Sequence, residues 1–402
     1  MDLQFARGAR TAPSFPPALD VPAPPEWLGP FARTPETVEP ETASFWRRVI
    51  AAARRAMGAS ETVPPPPPLL PAGETTGPVP EFVRSAAREM GVELAGLQWS
   101  LVSENVASRP RAVFDVHDPV AADGERYTVK IAWHPQVNPG IENEHWALRA
   151  LTTRKPVPSH TYPQPAFLAI RGSVVLSGHE YPGGRPFSEC TDGTPTCGHA
   201  ERALAWLVDM AAGTFRPRET FALAGPLEEI VERYAMKFGP SAEAGRFLQM
   251  QAEMLVSSGS IPTVLHHGDP DPARNVRVSP DGAPVFLGWE ECALEGLPLW
   301  DLYWFAQAYG RMALEREEAR YDAAAFATQF LERTLHSVGL VRAVAASCER
   351  LALSPRLASP LFHLGWATLA VRGGPGADLY AEILDRCIAA EQRDGGLAVF
   401  NG

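Results

Sequence analysis

Two hydrophobic periodicities divide the chain beyond its first eighty residues. Between about residues 97 and 184, short segments such as "RAVFDVHD" and "RYTVKIAWH" alternate apolar and polar positions or concentrate β-branched residues, with turn residues between them. From about Thr196 onward, segments such as "GHAERALAWLVDMAAGT" place apolar residues at three- and four-residue spacing. The pattern therefore predicts a lobe built on strands, followed by a largely helical lobe.

The same periodicities set the predicted bounds of the elements. A tight hairpin is predicted between "NVRVSP" and "APVFLGW", because Asp281 and Gly282 between them are typical turn residues. In the first lobe the predicted strands cover 97–104, 111–118, 126–134, 166–172 and 173–184, and the predicted helices cover 81–91 and 138–153. In the second lobe the predicted helices cover 198–214, 225–238, 241–259, 298–310, 323–339, 340–353, 357–371 and 377–392.

Residues 1–80 have a different composition from the rest of the chain. They are rich in proline and lack periodicity, except for one predicted amphipathic helix within residues 41–58. Five prolines, Pro64 to Pro68, favour an extended polyproline spacer, and a ligand for a proline-recognition module is the alternative. The sequence thus predicts an N-terminal extension over 1–80, a first lobe over 81–187 and a helical lobe over 188–402.

Charge and composition restrict the kind of partner. The 402 residues include 36 basic and 47 acidic side chains, a net charge of -11, which argues against a general nucleic-acid or anionic-membrane surface. No run of about twenty apolar residues and no secretory signal is present, so we expect a soluble, cytoplasmic protein. The only lysines are Lys130, Lys155 and Lys237, which makes each of them an uncommon choice in this chain.

The cysteines give a weak signal for metal binding. There are five of them and no C-x-x-C pair. "CTDGTPTCGH" offers Cys190, Cys197 and His199, but zinc sites usually have tighter paired spacing and a fourth ligand. A reduced loop is the favoured interpretation, and a metal site is the alternative.

Two stretches resemble a known family. "HHGDPDPARNVRV" resembles the H-G-D-x-x-x-x-N catalytic loop of the aminoglycoside phosphotransferase and choline kinase superfamily, and "VFLGWEECALEGLPLWDLYWFA" resembles the stretch that follows it. The resemblance spans roughly Leu97 to Ala306. It implies an α+β, protein-kinase-like two-lobe fold, with a small mixed α/β N-lobe and a larger, mostly helical C-lobe that carries the catalytic loop at 266–291.

The resemblance also implies an activity. It predicts transfer of a phosphoryl group from ATP or GTP, with Mg²⁺, to a hydroxyl of an aminoglycoside, sugar or amino alcohol. The partners would be a nucleotide and a small-molecule acceptor. Acidic helices such as "GPLEEIVERY" are candidates for binding a cationic acceptor, or they are solvated helix faces. Trp300 and Trp304 either wall an acceptor pocket or belong to the core.

In the family pattern, Asp269 corresponds to the catalytic base, and its alternative is a turn-capping residue before Pro270. Asn275 would supply an oxygen to Mg²⁺. Five residues separate Asp269 from Asn275 here, whereas the family pattern has four. We expect the loop to bulge by one residue, and the alternative is that Asp271 takes over part of the role of Asp269.

The resemblance assigns the nucleotide-binding residues as well. Lys130 would contact the phosphates and pair with Glu144, or with Glu142, while a solvated strand lysine is the alternative for Lys130. Backbone groups near Glu180 and Tyr181 would bind the adenine edge.

The main departure from the family is Gly288, which stands where the pattern has the metal-binding aspartate. If the strand continues, Glu290 lies on the same side and replaces that ligand. The alternative is a pseudokinase that binds a nucleotide or metabolite without phosphotransfer. Retained transfer is slightly favoured, because most motif residues are in place. A third hypothesis is a metal-dependent hydrolase that uses His266, His267 and the two aspartates.

Overall fold

The computed structural model describes residues 76–105, 111–120, 125–132, 138–171, 174–316, 321–332, 334–372 and 377–394. Every described residue belongs to the unit Pro64–Gly402. The predicted helix within 41–58 and the polyproline segment lie outside the described residues.

The first part of the described chain forms a six-stranded sheet in the order β1-β2-β3-β4-β6-β5, with every pairing antiparallel. Helix α1 connects β1 to β2, and α2 connects β4 to β5. The bounds are β1 Thr76–Pro78, α1 Glu81–Glu89, β2 Gln98–Asn105, β3 Arg111–His117, β4 Glu125–Ala132, α2 Asn138–Arg154, β5 Gln164–Arg171 and β6 Val174–Glu180.

The part that follows is mostly helical and contains two three-stranded sheets, β11-β10-β7 and β12-β9-β8. Its helices are α3 Phe187–Cys190, α4 Gly198–Thr214, α5 Ala224–Phe238, α6 Ala242–Val256, α7 Trp300–Arg316, α8 Ala323–Phe326, α9 Leu335–Arg350, α10 Ala358–Arg372 and α11 Ala377–Asp394. Its strands are β7 Arg185–Pro186, β8 Arg216–Glu219, β9 Ser260–His266, β10 Val276–Val278, β11 Pro284–Phe286 and β12 Ala293–Gly296. An antiparallel sheet followed by a mostly helical region confirms the predicted α+β class.

The predicted periodicities correspond to buried faces. On β3, the side chains of Ala112, Phe114 and Val116 are buried in alternation with half-buried neighbours. On α5, Leu227 and Val231 are buried one helical turn apart. The glutamates of the same helix are exposed, so the acidic segment "GPLEEIVERY" has the character of a solvated helix face.

Two predictions about the helical region were wrong. The single helix over 323–339 is instead α8, a π-helical turn at Ala327–Leu331, and a separate helix that begins at Leu335. Thr334 and Ser337 exchange hydrogen bonds at the start of that second helix, so a local cap decides a break that apolar periodicity does not mark. Strands β8, β9 and β12 were not predicted, because the partner of each strand is distant in the sequence.

None of the helices in the described ranges is long and apolar enough to cross a membrane.

Candidate functional site

Lys130 lies on β4 and faces α2, the helix that follows it in the chain. Its Nζ donates to both carboxylate oxygens of Glu144, at 2.8 Å to Oε1 and 2.6 Å to Oε2. The lysine is buried, which rules out the alternative of a solvated strand lysine. Glu144, rather than Glu142, is the glutamate that α2 brings to it.

The backbone of a later segment also contacts Glu144. Trp289 N–H donates to Glu144 Oε1 over 3.1 Å, so one carboxylate joins the first sheet to the segment that follows the hairpin. Burial alone would raise the pKa of Glu144, but the Lys130 ammonium beside it outweighs burial and holds that pKa below its usual range. Glu144 is therefore ionised at neutral pH and keeps Lys130 oriented.

Glu290 completes the surroundings of Lys130. Strand β11 ends at Phe286, and Gly288, at φ +71°, turns the chain into a short 3-10 helix at Trp289–Glu291. The prediction that Glu290 replaces the metal ligand assumed a strand that continues past Gly288, and that assumption was wrong. In the observed turn, Glu290 Oε1 lies 2.8 Å from Lys130 Nζ, and the other Glu290 oxygen pairs with Arg111.

The loop after β9 is fixed by a buried carboxylate. Asp301, at the start of α7, accepts hydrogen bonds from the backbone N–H groups of His267, at 2.6 Å, and Gly268, at 3.0 Å. Gly268 has φ +84°, and a Cβ at this position would stand 2.0 Å from the carbonyl oxygen of Glu291. The loop thus approaches the 3-10 turn so closely that only glycine fits there.

Both ring nitrogens of His267 have partners. Nδ1 accepts from Asp269 N–H at 3.3 Å, and Nε2 lies 2.8 Å from the carbonyl oxygen of Leu287. Because Leu287 follows β11, this side chain ties the loop to the hairpin. Burial lowers the pKa of His267, so the ring is neutral. Because both ring nitrogens already have partners, the side chain serves to position the loop.

Asp269 and Asn275 are in direct contact. Asn275 Nδ2 donates to Asp269 Oδ2 at 2.9 Å and to the Asp269 carbonyl oxygen at 2.8 Å. The extra residue is taken up by a turn in which Asn275 N–H donates to the Asp271 carbonyl oxygen at 2.7 Å. The pairing of Asp269 with Asn275 therefore forms in spite of the unusual spacing.

Asp271 has a different environment from Asp269. Its carboxylate is buried and meets two guanidinium groups, with Arg274 Nε at 3.0 Å and Arg311 Nη2 at 2.7 Å. It also accepts from Ala273 N–H at 3.0 Å. These partners occupy the carboxylate and hold the turn, whereas Asp269 keeps a third of its side chain exposed.

Arg274 bridges the two aspartates, since its Nη2 lies 3.1 Å from Asp269 Oδ1. A further arginine reaches the loop from the end of α10, where Arg372 Nη1 donates to the Gly268 carbonyl oxygen at 2.9 Å. The Arg372 guanidinium also lies 5.2 Å from the centre of the Trp304 ring. Arginines from the loop, α7 and α10 thus surround the aspartates.

Asn275 and Glu290, the two residues predicted to bind a metal, contact different groups and not a common point. Asn275 Oδ1 lies 2.6 Å from where a Cβ on Gly288 would stand, while Glu290 is paired with Lys130 and Arg111. Within the described ranges, no three His, Cys, Asp or Glu side chains are grouped so that they could hold a metal ion. The described side chains, as they stand, do not form a Mg²⁺ site, because a hard cation needs several oxygen ligands around one point.

Glu180 and Tyr181 lie at the passage from the first sheet to the helical region. Glu180 is the exposed last residue of β6, and the Tyr181 ring lies 5.3 Å from the Arg277 guanidinium. Arg277 also donates to the Gly184 carbonyl oxygen at 3.0 Å. The connecting segment is therefore held by side chains of β10, and its role toward adenine remains a prediction.

Four of the remaining candidates from the sequence, for metal binding or for an acceptor pocket, are buried among other side chains. Cys197 is buried and accepts a hydrogen bond from Thr191. His266 is buried between the rings of Trp300 and Trp304, with centroid distances of 5.7 and 5.4 Å. The two tryptophans are themselves buried, so they belong to the core.

Four arginines at the site, Arg111, Arg274, Arg311 and Arg372, were not identified from the sequence. Arg274 alone had a usable signal, because it lies between Asp271 and Asn275 in the chain. The other three come from β3, α7 and α10, and no spacing links them to the motif.

No protein-family model and no curated protein matches the chain. Among solved structures, the chain is similar to the aminoglycoside phosphotransferase APH(3'')-Id from Streptomyces rimosus, with 17% identity over 70% of this chain and 95% of that one, at a TM-score of 0.40. A choline kinase from Streptococcus pneumoniae has 14% identity over 73% of this chain and 94% of that one, also at 0.40.

A gentamicin complex of the phosphotransferase APH(2")-IIa has 10% identity over 78% of this chain and 96% of that one, at a TM-score of 0.37. The structural neighbours therefore belong to the family that the motifs indicated. Similarities this distant carry no argument about activity or ligands, so the function is argued from the chain's own geometry.

Proposed function

We propose that this protein is a small-molecule phosphotransferase that moves a phosphoryl group from ATP or GTP to an acceptor hydroxyl. The observation that carries the proposal is one series of contacts that leads from the buried Lys130 ammonium to the partly exposed Asp269 carboxylate. Lys130 contacts Glu144, which accepts from Trp289 N–H, and the adjacent Gly288 lies against Asn275, which is bonded to Asp269.

Lys130 is the proposed phosphate-binding group. A phosphate oxygen that replaces the Glu290 carboxylate would meet two cations, because Lys130 and Arg111 both contact Glu290. Glu144 stays in place and keeps the ammonium oriented. Backbone groups near Glu180 and Tyr181 are proposed to bind the base of the nucleotide, as the family resemblance implies.

Asp269 is the proposed base. It would accept the proton of the acceptor hydroxyl while the hydroxyl oxygen forms a bond to the γ-phosphorus, and the bond to the departing nucleoside diphosphate breaks. Asn275 and Arg274 bond to its two oxygens and fix its orientation, and each carboxylate oxygen retains capacity for a further hydrogen bond. General-base assistance of this kind is worth about two to four powers of ten in rate.

The transfer is proposed without a metal-dependent step. Glu290 and Asn275 were predicted as Mg²⁺ ligands, but Glu290 is paired with Lys130 and Arg111, and no step is assigned to a metal. Lys130 and Arg111 supply positive charge on the phosphates in any case.

The second candidate function is nucleotide or metabolite binding without transfer. Two observations favour it. Gly288 has no carboxylate to bind a metal, and Glu290 pairs with Lys130 at the position proposed for a phosphate. The difference between the two candidates lies in whether bound nucleotide is consumed.

Thermal stabilisation by nucleotide, with and without Mg²⁺, tests the binding step. We expect ATP or GTP to raise the melting temperature of the native protein, and to raise that of Glu290→Gln further because the competing carboxylate charge is gone. Lys130→Met should abolish the shift, and Lys155→Met, which changes an exposed lysine, should leave it intact. Loss of a Mg²⁺-dependent shift in Glu290→Gln would instead make Glu290 a metal ligand.

Transfer itself is tested with nucleotide labelled at the γ-phosphate and a pool of hydroxylated metabolites. The label should reach an acceptor with native protein and stay on the nucleotide with Asp269→Asn. Stabilisation by nucleotide with no consumption under any condition would favour the binding protein.

A further inference from the structure

We infer that the acceptor carries an anionic group, a carboxylate or a phosphate, which binds to the arginines around the catalytic loop. This inference rests on the proposed function, because it concerns the second substrate of the same site. It narrows the acceptor to acidic hydroxylated compounds and sets aside cationic ones.

Three guanidinium groups contact the backbone or the aspartates of the catalytic loop. Arg274 contacts both Asp269 and Asp271, Arg311 contacts Asp271, and Arg372 contacts the Gly268 carbonyl oxygen. Of the three carboxylates at the loop, Asp271 and Asp301 are buried and Asp269 is one-third exposed. The Arg274 and Arg311 side chains are 65% and 39% exposed, so the exposed side chains of this cluster are mainly cationic.

The arginines keep donors that the described residues do not use. The Arg274 side chain is 65% exposed and bonds through Nε and Nη2, which leaves its Nη1. The Arg311 side chain is 39% exposed and bonds through Nη2, while its buried Nε has no partner among the described residues. A buried charged donor without an acceptor costs free energy, so a ligand or water oxygen beside Arg311 would stabilise it.

The third arginine is held in position without a carboxylate. Arg372 is exposed, and its guanidinium is fixed by the Gly268 carbonyl oxygen and by the face of Trp304. A carbonyl oxygen does not neutralise the charge. Arg372 therefore presents an uncompensated cation beside the proposed base.

The acidic side chains of α5, which were candidates for binding a cationic acceptor, belong to a solvated helix face. On α5, Glu228, Glu229 and Glu232 are exposed, and Glu229 pairs within its own helix with Arg233. A cationic acceptor at Asp269 would have to approach past Arg274 and compete with it for the carboxylate. An anionic acceptor meets planar donors that suit carboxylate and phosphate oxygens.

A matched panel of glucose derivatives tests the charge of the acceptor. Glucose, glucosamine, glucuronate and glucose 6-phosphate share one ring and differ in charge, so equilibrium binding of each to the full-length protein isolates that variable. We expect glucuronate or glucose 6-phosphate to bind about tenfold or more tightly than glucosamine. The same preference should appear in nucleotide consumption if these compounds are also phosphorylated.

Variants separate the arginine cluster from a general charge effect. Arg372→Gln and Arg274→Gln should each weaken binding of the anionic compounds by about tenfold. Arg386→Gln, which removes an exposed arginine paired with Glu382 on α11, should not. The Arg274 variant serves if the Arg372 variant fails to fold, because the Arg274 side chain is mostly exposed.

The outcomes distinguish this inference from the proposed function. Tighter binding of glucosamine, no binding of any anionic probe at millimolar concentration, or anion binding that persists in both arginine variants would overturn the inference. ATP stabilisation of the native protein would then still support the nucleotide site. Arginine-dependent anion binding without any nucleotide stabilisation would keep the inference about ligand charge and reject the phosphotransferase.

Discussion

The Lys130 end and the Asp269 end of the site hold their charged side chains in opposite ways. At the Lys130 end, one lysine is enclosed by Glu144 and Glu290, and the three side chains are only 10%, 1% and 15% exposed. At the Asp269 end, the carboxylates are held by arginines whose side chains are 65% and 39% exposed. The first end is compensated and closed, while the second is open and its exposed side chains are mainly cationic.

The difference indicates which end must rearrange to work. In the proposed function, a nucleotide phosphate has to displace Glu290 from Lys130, because the cation is already paired. An acceptor has only to reach Asp269, since that carboxylate is partly exposed and already oriented. The Gly288 turn joins the two ends, because Gly288 lies against Asn275 and Glu290 lies two residues further along the chain.

The largest expected effect separates the two aspartates of the open end. Asp269→Asn should lower the transfer rate by about 10² to 10⁴ through loss of the proton acceptor, with nucleotide stabilisation unchanged. Asp271→Asn should instead lower the free energy of unfolding by about 1 to 3 kcal/mol, because a buried partner of two guanidinium groups is lost. Turnover assays and urea titrations on both variants measure the contrast. Equal losses of rate in both would assign the base role to Asp271 as well.

An intermediate effect is expected where the loop touches the 3-10 turn. Gly268→Ala should lower the free energy of unfolding by about 3 kcal/mol or more, because its Cβ meets a backbone carbonyl oxygen that cannot move aside. Gly96→Ala is the matched control, since Gly96 has φ +79° and nothing within 4 Å of its Cβ position. It should cost only the left-handed strain, about 1 kcal/mol. Similar losses in urea titrations of the two variants would contradict the close approach.

The effect that is smallest at neutral pH is a pH dependence of stability at the closed end. Burial lowers the pKa of His179 to about 4, against the opposing effect of Glu144, and burial lowers the pKa of His145 to about 3. In the unfolded chain the histidine pKa is about 6.5. In mild acid, His145 and His179 are therefore protonated in the unfolded chain while they stay neutral in the folded protein. Stability should therefore fall as the pH drops from about 6.5 toward about 4, by at most about 1.4 kcal/mol per pH unit for each histidine.

His179→Gln should reduce that pH slope in urea titrations between neutral and mildly acidic pH. His160→Gln, on the surface, provides the comparison. A slope that stays the same in the His179 variant would show that other buried histidines, such as His363, account for the loss of stability.

Local patterns sufficed for most of the helices and for strands β2 to β6 of the first sheet, but not for β1, which lies within the predicted N-terminal extension. The alternation in "RAVFDVHD" is the alternation of buried positions on β3, and the Asp281–Gly282 turn closes the β10–β11 hairpin next to the pair Val278↔Pro284. Strands β8, β9 and β12 escaped prediction because their pairing is non-local, as in Arg216↔Thr263. No short window contains the information for such a pair.

The sequence by itself determined the resemblance and the identity of the central residues, because motif residues such as Asp269 and Asn275 are close in the chain. It also marked Gly288 as the departure. Only the tertiary structure decided that Glu290 pairs with Lys130 and Arg111, and that Arg311 and Arg372 reach the catalytic loop. Those contacts join residues dozens to more than a hundred positions apart, and packing brings such residues together with no trace in local spacing.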